Sequence, residues 1–292
     1  MINRWISKSL KQDLTFVTVS LCLLISEPAL PYAPVGTEPY VNFTQSLSLT
    51  RGIVDPGEGP ESLVLNQSAA CDLVIKNFGW DSCSGLDLVV FGQFPEIDGT
   101  YFMIPNSEGY VSFEDWQNDT IGDDVKEMEK QLRVGLKEQS KTSGRNIFFE
   151  RWSVPPTLNK DQSYMYYAYV LNWDGESSLN VMATYFDRKG YMEVNMVPLD
   201  ENLSKTELEN LIEKTLATYR PKQNQSYFDF QDGDKVAAAG AVGVLATLLG
   251  VKYGKGAATG ILAVALVLLK KFWFVLLFPL VFIGRLFKKK DH

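Results

Sequence analysis

The stretch that decides the fold is residues 164–198, which read YMYYAYVLNWDGESSLNVMATYFDRKGYMEVNMVP. It contains three runs rich in aromatic and β-branched residues, which favour strands, at residues 164–173, 178–187 and 191–198. Between them lie short segments with the Asp and Gly residues typical of tight turns, at residues 174–176 and 187–190. This pattern predicts three antiparallel strands that follow one another as a meander.

The segments on either side of the meander predict more strands and three helices. Further strands are expected at residues 41–54, 63–65, 86–91, 100–104, 110–113 and 147–154. Of these, 100–104 and 110–113 should turn back on each other as a pair. Helices are expected at residues 69–78, at residues 121–141, and from Ser204 to a point before Pro221. Because strands and helices do not alternate regularly, the sequence predicts an α+β fold, an antiparallel sheet with two or three packed helices.

Capping residues mark the ends of two of these helices. Thr120 is expected to accept the free N–H groups of the first turn of helix 121–141, and Gly144 is expected to end that helix. Ser204 and Glu207 have the spacing of a capping box, in which each side chain binds the backbone N–H of the other residue. Both helices carry an apolar stripe at helical spacing, so each should pack on the sheet.

The N-terminus has the features of a secretory signal peptide. Three basic residues, Arg4, Lys8 and Lys11, precede an apolar stretch at residues 14–25 that is shorter than the roughly 20 residues needed to cross a bilayer. We therefore expect residues 1–33 to be removed on export, with Ala33 or Ala29 as the last residue. The alternative is a buried N-terminal strand or helix. Residues 34–60 are expected to form an extended linker or edge strand, and 61–230 the exported soluble domain.

Three apolar runs separated by lysines occupy the C-terminal part of the chain, at residues 236–251, 257–269 and 272–283. They predict C-terminal apolar membrane helices, with an anchor at residues 235–287 and a basic tail at 288–292. A first crossing would lie near residues 236–253, and the number of crossings is left open. Lysines at the centre of a membrane helix cost roughly 2.5–3.5 kcal/mol each. The expected membrane-interface residues are therefore Lys270, Lys271, Trp273 and Arg285.

Small residues recur at helical spacing within the predicted anchor. The pairs are Gly250 with Gly254 and Gly256 with Gly260. Such spacings allow membrane helices to approach closely, because packing drives their association. These glycines are therefore the expected packing positions of the anchor.

Charge is distributed unevenly between the soluble region and the C-terminal segment. Residues 34–234 contain 32 acidic and 16 basic residues, whereas from residue 235 onward basic residues dominate. A domain this acidic repels nucleic acid, whose binding requires basic clusters. The expected partners are therefore membrane lipid and an envelope or membrane protein, and not nucleic acid.

Several chemistries are excluded by residue type. The single histidine is His292, so catalysis by a Ser-His-Asp or Cys-His set is excluded, and no phosphate-binding glycine loop occurs. No cofactor, metal site or catalytic residue is predicted. The acidic residues 114–124 have no calcium-loop order and are interpreted as a solvated loop and helix start. Cys71 and Cys83 can form a disulfide in an exported protein, or remain as two separate thiols.

The order of several short motifs resembles a family of membrane-anchored bacterial proteins, domain of unknown function 2167. The motifs are Gly109-Tyr110-Val111, Arg151-Trp152-Ser153-Val154-Pro155-Pro156, Leu171-Asn172-Trp173, Leu179-Asn180-Val181, Arg188-Lys189-Gly190 and Asp234-Lys235-Val236-Ala237-Ala238-Ala239-Gly240. The resemblance runs from about residue 63 into the C-terminal apolar segment. It implies export, a soluble domain and a C-terminal anchor, and it brings no catalytic residues.

These observations favour a binding or scaffold protein of the cell envelope, exported and held at the membrane. One alternative is an envelope enzyme that uses carboxylates alone, which requires two acidic groups converging in a cleft. The other alternative is a subunit of a membrane complex, packed through the glycines of its anchor. The sequence leans away from an enzyme because the common catalytic sets are missing.

Overall fold

The predicted meander forms three adjacent strands of an eight-stranded antiparallel sheet. The computed structural model describes residues 38–57, 61–76 and 82–252. In chain order the strands are β1 (Tyr40–Asn42), β2 (Leu47–Ser48), β3 (Gly52–Val54), β4 (Ser62–Leu65), β5 (Leu88–Gln93), β6 (Asp98–Asn106), β7 (Ile147–Asn159), β8 (Tyr164–Trp173), β9 (Glu176–Asp187), β10 (Gly190–Pro198) and β11 (Tyr219–Pro221). The large sheet has the order β1-β4-β5-β6-β10-β9-β8-β7, and β11-β3-β2 form a second, smaller sheet.

Four α-helices accompany the sheets within the described residues. They are α1 (Gln67–Lys76), α2 (Ile121–Ser143), α3 (Lys205–Ala217) and α4 (Ala241–Leu248). The α+β class and the antiparallel sheet are confirmed, as are the three expected helices to within a few residues. The predicted capping box is present, because Ser204 accepts from the N–H of Glu207 while the Glu207 carboxylate accepts from the N–H of Ser204. Residues 34–60 were expected to form an extended linker or edge strand. Of their described part, β1 is the edge of the large sheet, while β2 and β3 build the smaller one.

Two local predictions were wrong. Residues 110–113 form no strand paired with β6, which instead lies between β5 and β10. Tyr110 turns to the C-terminal segment, donating its N–H to the carbonyl of Lys235 at 2.8 Å and accepting from the N–H of Ala237 at 2.8 Å. Thr120 makes no side-chain cap for α2, because its backbone (φ −113°, ψ −22°) is already helical rather than extended.

The large sheet is covered on both faces. Face A carries Met192, Val194 and Met196 of β10 and packs against α3 and the smaller sheet. Face B carries the alternate residues of the same strands, since successive side chains point to opposite sides. There α2 and α4 cover β7 to β9, while α1 covers β5 and β6 through contacts with Val89 and Phe102.

Helix α4 corrects the start of the predicted membrane segment. Its residues come from the first of the three apolar runs, and Ala241, Val242, Val244, Leu245 and Ala246 are all buried in the cluster on face B. A helix that is apolar all round suits a protein core as well as a bilayer. The expected crossing near residues 236–253 is therefore wrong for the part up to Val251, which completes the core. Residues 253–287 of the predicted anchor lie outside the described residues.

A buried ion pair fastens the smaller sheet to the large one. Arg51, beside β3, donates from Nε to Oδ2 of Asp187 at the end of β9 at 2.8 Å, and its Nη2 pairs with Oδ1. The side chain of Asp187 is fully buried and that of Arg51 is 8% exposed. Arg51 also donates to the Ser107 hydroxyl at 2.9 Å. One guanidinium therefore joins three segments that are distant in sequence.

Replacing Arg51 with Met should lower the free energy of unfolding by about 3–5 kcal/mol, because Asp187 would be left buried without a counter-charge. Urea denaturation of the domain measures this loss. Arg220→Met is the matched control, since its pair with Asp55 is largely exposed and should contribute less than about 1 kcal/mol. Equal losses in the two variants would contradict the role assigned to Arg51.

Replacing Leu245 with Ala tests the placement of α4 in the core. The side chain is fully buried, so its truncation should cost about 2–5 kcal/mol in the unfolding of the domain. Val134→Ala on the exposed side of α2 should change stability by less than about 0.5 kcal/mol. If Leu245→Ala left domain unfolding unchanged, the helix would not belong to this core.

Candidate functional site

The C-terminal segment is bound to the sheet where the short motifs around residues 109, 188 and 234 meet. Arg188, in the turn between β9 and β10, donates from Nε and Nη2 to the two oxygens of Asp234 at 2.7 and 2.9 Å. This bidentate contact holds the pKa of the Asp234 carboxyl below its usual value. Next to it, Tyr110 forms a bridge with Val236. The motifs around residues 109, 188 and 234 thus meet at a structural junction.

Asp115 holds the start of α4 at this junction. Its Oδ2 accepts the N–H of Val242 at 3.1 Å, so the carboxylate lies against the positive end of the helix. Burial raises the pKa of Asp115, and the backbone N–H groups of α4 oppose that rise. A Cβ on Gly240 would lie only 2.5 Å from the same carboxylate. Glycine is therefore required there for the helix and the carboxylate to approach.

A row of aromatic rings leads from the core to the surface at the junction. The ring centroids are 5.1 Å apart for Phe186 and Phe113, 4.3 Å for Phe113 and Tyr227, 4.6 Å for Tyr227 and Tyr110, and 4.2 Å for Tyr110 and Phe230. The Tyr227 hydroxyl donates to the carbonyl of Val111 at 2.9 Å, which fixes the row.

The outer end of the row is exposed and apolar. Phe228 is 64% exposed, Val236 53% and Phe230 37%. Together with Tyr110 these three residues form what we call the aromatic patch. Other exposed apolar side chains, such as Val134 on α2 and Phe148 on β7, belong to different elements. Several large exposed apolar groups on a rigid base are typical of a binding surface.

A second candidate site lies on face B, where β10 meets the area covered by α2 and α4. Along β10 the face A residues are all buried, whereas Glu193 and Asn195 on face B are only half-buried. Asn195 donates from its side-chain amide to Oε1 of Glu193 at 2.9 Å. Tyr167 and Tyr169 of β8 lie on the same face. We call Glu193, Asn195, Tyr167 and Tyr169 the Glu193 groove.

Burial dominates the electrostatics of the groove. It raises the pKa of Glu193, and the hydrogen bond from Asn195 opposes that rise only in part. Burial and the charge of Glu193 raise the pKa of Tyr169 to about 12, and that of Tyr167 is raised well above its usual value. Among the described residues, the Tyr167 hydroxyl and Oδ1 of Asn195 are buried without a hydrogen-bond partner. These two atoms are polar contacts that the chain itself does not complete.

Of the site residues predicted from sequence, the structure joins the two cysteines and places one glycine. Cys71 of α1 and Cys83 form a disulfide with their Cα atoms 5.2 Å apart. Gly250 lies just after α4, where its φ of +66° and the hydrogen bond from the N–H of Val251 to the carbonyl of Ala246 are typical of a helix end. The remaining predicted residues lie outside the described part of the chain: Gly254, Gly256, Gly260, Lys270, Lys271, Trp273 and Arg285.

Two of the acidic residues at 114–124 contact other groups of the chain. Asp115 binds α4, as described above, and Asp123 pairs with Lys126 at 3.1 Å. In the described ranges, no group of three or more His, Cys, Asp or Glu side chains converges as a metal site would. Every helix there is also too short or too polar to cross a bilayer.

Sequence reasoning raised the aromatic run with Tyr167 and Tyr169 as a possible groove lining, against core packing, but missed Glu193 and Asn195. It also missed the link between Asp115 and Gly240. The alternation Met192-Glu193-Val194-Asn195-Met196 was a usable signal, because it places polar side chains on one face of a strand whose other face is apolar. No local pattern connects Asp115 with Gly240, because the contact depends on how the chain returns to the sheet.

The fold and its candidate sites define an α+β domain with an aromatic patch and a half-buried acidic groove. Residues 61–281 match the model of the family described as "Protein of unknown function (DUF2167)". Because the match covers well over half of the chain, the protein belongs to that family. This confirms the family resemblance identified in the sequence.

Comparison with other proteins adds little to this assignment. No curated protein matches the chain. The solution structure of cyanobacterial PsbP (CyanoP) from Synechocystis sp. PCC 6803 matches with 13% identity over 67% of this chain and 99% of its own, at a TM-score of 0.35. A TM-score of that size does not establish a common fold.

The raised pKa of Glu193 should make stability depend on pH. Between its usual value near 4.5 and the raised value, the folded state holds a proton that the unfolded state releases, so stability falls as pH rises through this window. Glu193→Gln removes that fall and should raise stability at neutral pH. Urea denaturation at acidic and neutral pH measures the difference between variant and wild type.

Burial also raises the pKa values of Asp87 and Asp115, but both residues are present in the variant and in the wild type. The difference in stability between the two proteins at each pH therefore reports on Glu193 alone. Glu176→Gln, at an exposed position on β9, is the control and should leave the pH profile unchanged. A Glu193→Gln profile parallel to that of the wild type would show that the carboxyl titrates alike in both states.

Proposed function

We propose that this protein is an exported, membrane-attached binding or scaffold protein, and that the aromatic patch is where it contacts a partner protein of the cell envelope. The observation that carries the proposal is the exposure of Phe228, Phe230 and Val236, each of which adjoins the stacked pair Tyr110 and Tyr227. Aromatic side chains often dominate binding energy because they bury a large area with little loss of conformational freedom.

The support beneath the patch favours this interpretation. Tyr110 and Tyr227 stack directly behind Phe230, and the pair of Arg188 with Asp234 fixes the segment that carries Val236. A patch held in this way loses little further freedom when a partner binds. Lys235 beside Val236 and Asp232 near Phe230 are both exposed, so the rim is polar.

Membrane attachment is proposed from the chain beyond Lys252. Two apolar runs, at residues 257–269 and 272–283, remain after α4 is assigned to the core. The family match extends to residue 281 and so includes most of this segment. We propose that the segment attaches to lipid, with Lys270, Lys271, Trp273 and Arg285 at the interface. The backbone N–H of Lys252 donates to Oε1 of Gln131 at 3.0 Å. The last described residue therefore lies against α2.

The alternative of a carboxylate enzyme receives less support. Acid–base catalysis on glycans uses two acidic groups. Around Glu193 the described residues supply an amide and tyrosines, and burial and Asn195 account for the shift of its pKa. The alternative of a membrane subunit packed through glycines gains no support from Gly250, which lies just after α4.

Replacing both Phe228 and Phe230 with Ser should abolish crosslinking of the protein to its partner in intact membranes, because the apolar contact area would be lost. The measurement is photo-crosslinking from a probe placed at position 231, followed by mass spectrometry of the captured proteins. Exposed positions change little in stability when substituted, so the variant should fold normally.

The matched control is Phe148→Ser with Val134→Ser, two exposed apolar residues away from the patch. This variant should capture the same proteins as the wild type. If the patch variant also kept every crosslink, or if the control lost them equally, the patch would not be the binding surface.

A further inference from the structure

We propose that the Glu193 groove binds the ammonium group of a primary amine. This inference concerns a site on face B and does not rest on the aromatic patch or on membrane attachment. The groove has a half-buried carboxylate, two buried polar atoms without partners and an aromatic wall, all on neighbouring strands of the large sheet.

The register of the strands brings these groups together. Asn195 of β10 lies opposite Met182 of β9, and Met182 lies opposite Tyr167 of β8. Asn195 and Tyr167 are therefore two strands apart, with backbones separated by about 10 Å and side chains on the same face. Glu193 is the next residue of β10 on that face and lies opposite Thr184. The register therefore places all three polar side chains around Met182 on the same face.

The missing partner of Glu193 is a cation. A buried carboxylate is normally paired with a positive group, because burial without one is costly. Among the described residues Glu193 has a hydrogen bond from Asn195, and no ion pair involves it. The charge of Glu193 contributes to the raised pKa values of Tyr167, Tyr169 and Tyr191. None of these tyrosines supplies a positive charge. A bound cation would supply it.

The polar atoms of Asn195 and Tyr167 favour an ammonium group over other cations. An ammonium group carries three N–H donors, and the groove offers acceptors for them at Glu193, at Oδ1 of Asn195 and at the Tyr167 hydroxyl. Trp152 and Tyr169 lie with ring centroids 6.0 Å apart, and Tyr167 and Tyr169 likewise, so aromatic rings form one side of the site. Aromatic faces attract cations, which adds to the carboxylate contact.

The test is calorimetric titration of the full-length protein in detergent with two probes, glucosamine and glucose. They have the same ring size and differ in one group, an ammonium in the first and a hydroxyl in the second. Glucosamine should bind at least about tenfold more tightly, because only its ammonium pairs with Glu193. Glu193→Gln should remove this preference, and Tyr167→Phe should weaken glucosamine binding severalfold.

Glu176→Gln, which changes an exposed carboxylate outside the groove, should leave both affinities unchanged. Equal binding of glucose and glucosamine would overturn the proposal in favour of a site for hydroxyl groups. Absence of glucosamine binding, or binding that Glu193→Gln leaves intact, would also overturn it. Crosslinking through the aromatic patch is unaffected by any of these results, so the two proposals can fail separately.

Discussion

The structure depends on one constraint: a large sheet whose two faces are both apolar must be covered on both sides. On face A the cover is α3 with the smaller sheet, and the buried pair of Arg51 with Asp187 holds that sheet in place. On face B the cover is assembled from three helices that are far apart in sequence. The first of the three C-terminal apolar runs is consequently used as a core helix, because without α4 part of face B would be open to water.

Local patterns predict the centre of the fold and not its closure. The meander β8 to β10 was predictable because its strands are neighbours in sequence and joined by short turns, of which Asp174-Gly175 is one. The role of α4 was not predictable, since a continuous apolar run has the same composition in a bilayer and in a protein core. Residues 110–113 were misassigned for a related reason: their partner lies more than a hundred residues away, at Val236.

The candidate sites differ in how far sequence could reveal them. The polar residues Glu193 and Asn195 are visible as an alternation along β10, but the burial of Glu193 depends on elements far apart in sequence. The aromatic patch depends on the return of the C-terminal segment to Tyr110. The short motifs at residues 109, 188 and 234 meet at this return.

The position of α4 along the chain also bears on how the protein is made. The chain is synthesised from its N-terminus, and α4 is the last described helix. Face B therefore cannot be fully covered until the residues up to Leu249 have left the ribosome. The two remaining apolar runs begin only a few residues later, at residue 257. The core is therefore completed at nearly the same time as the two apolar runs are synthesised. The order of the sequence alone therefore places completion of the core next to the synthesis of these two apolar runs.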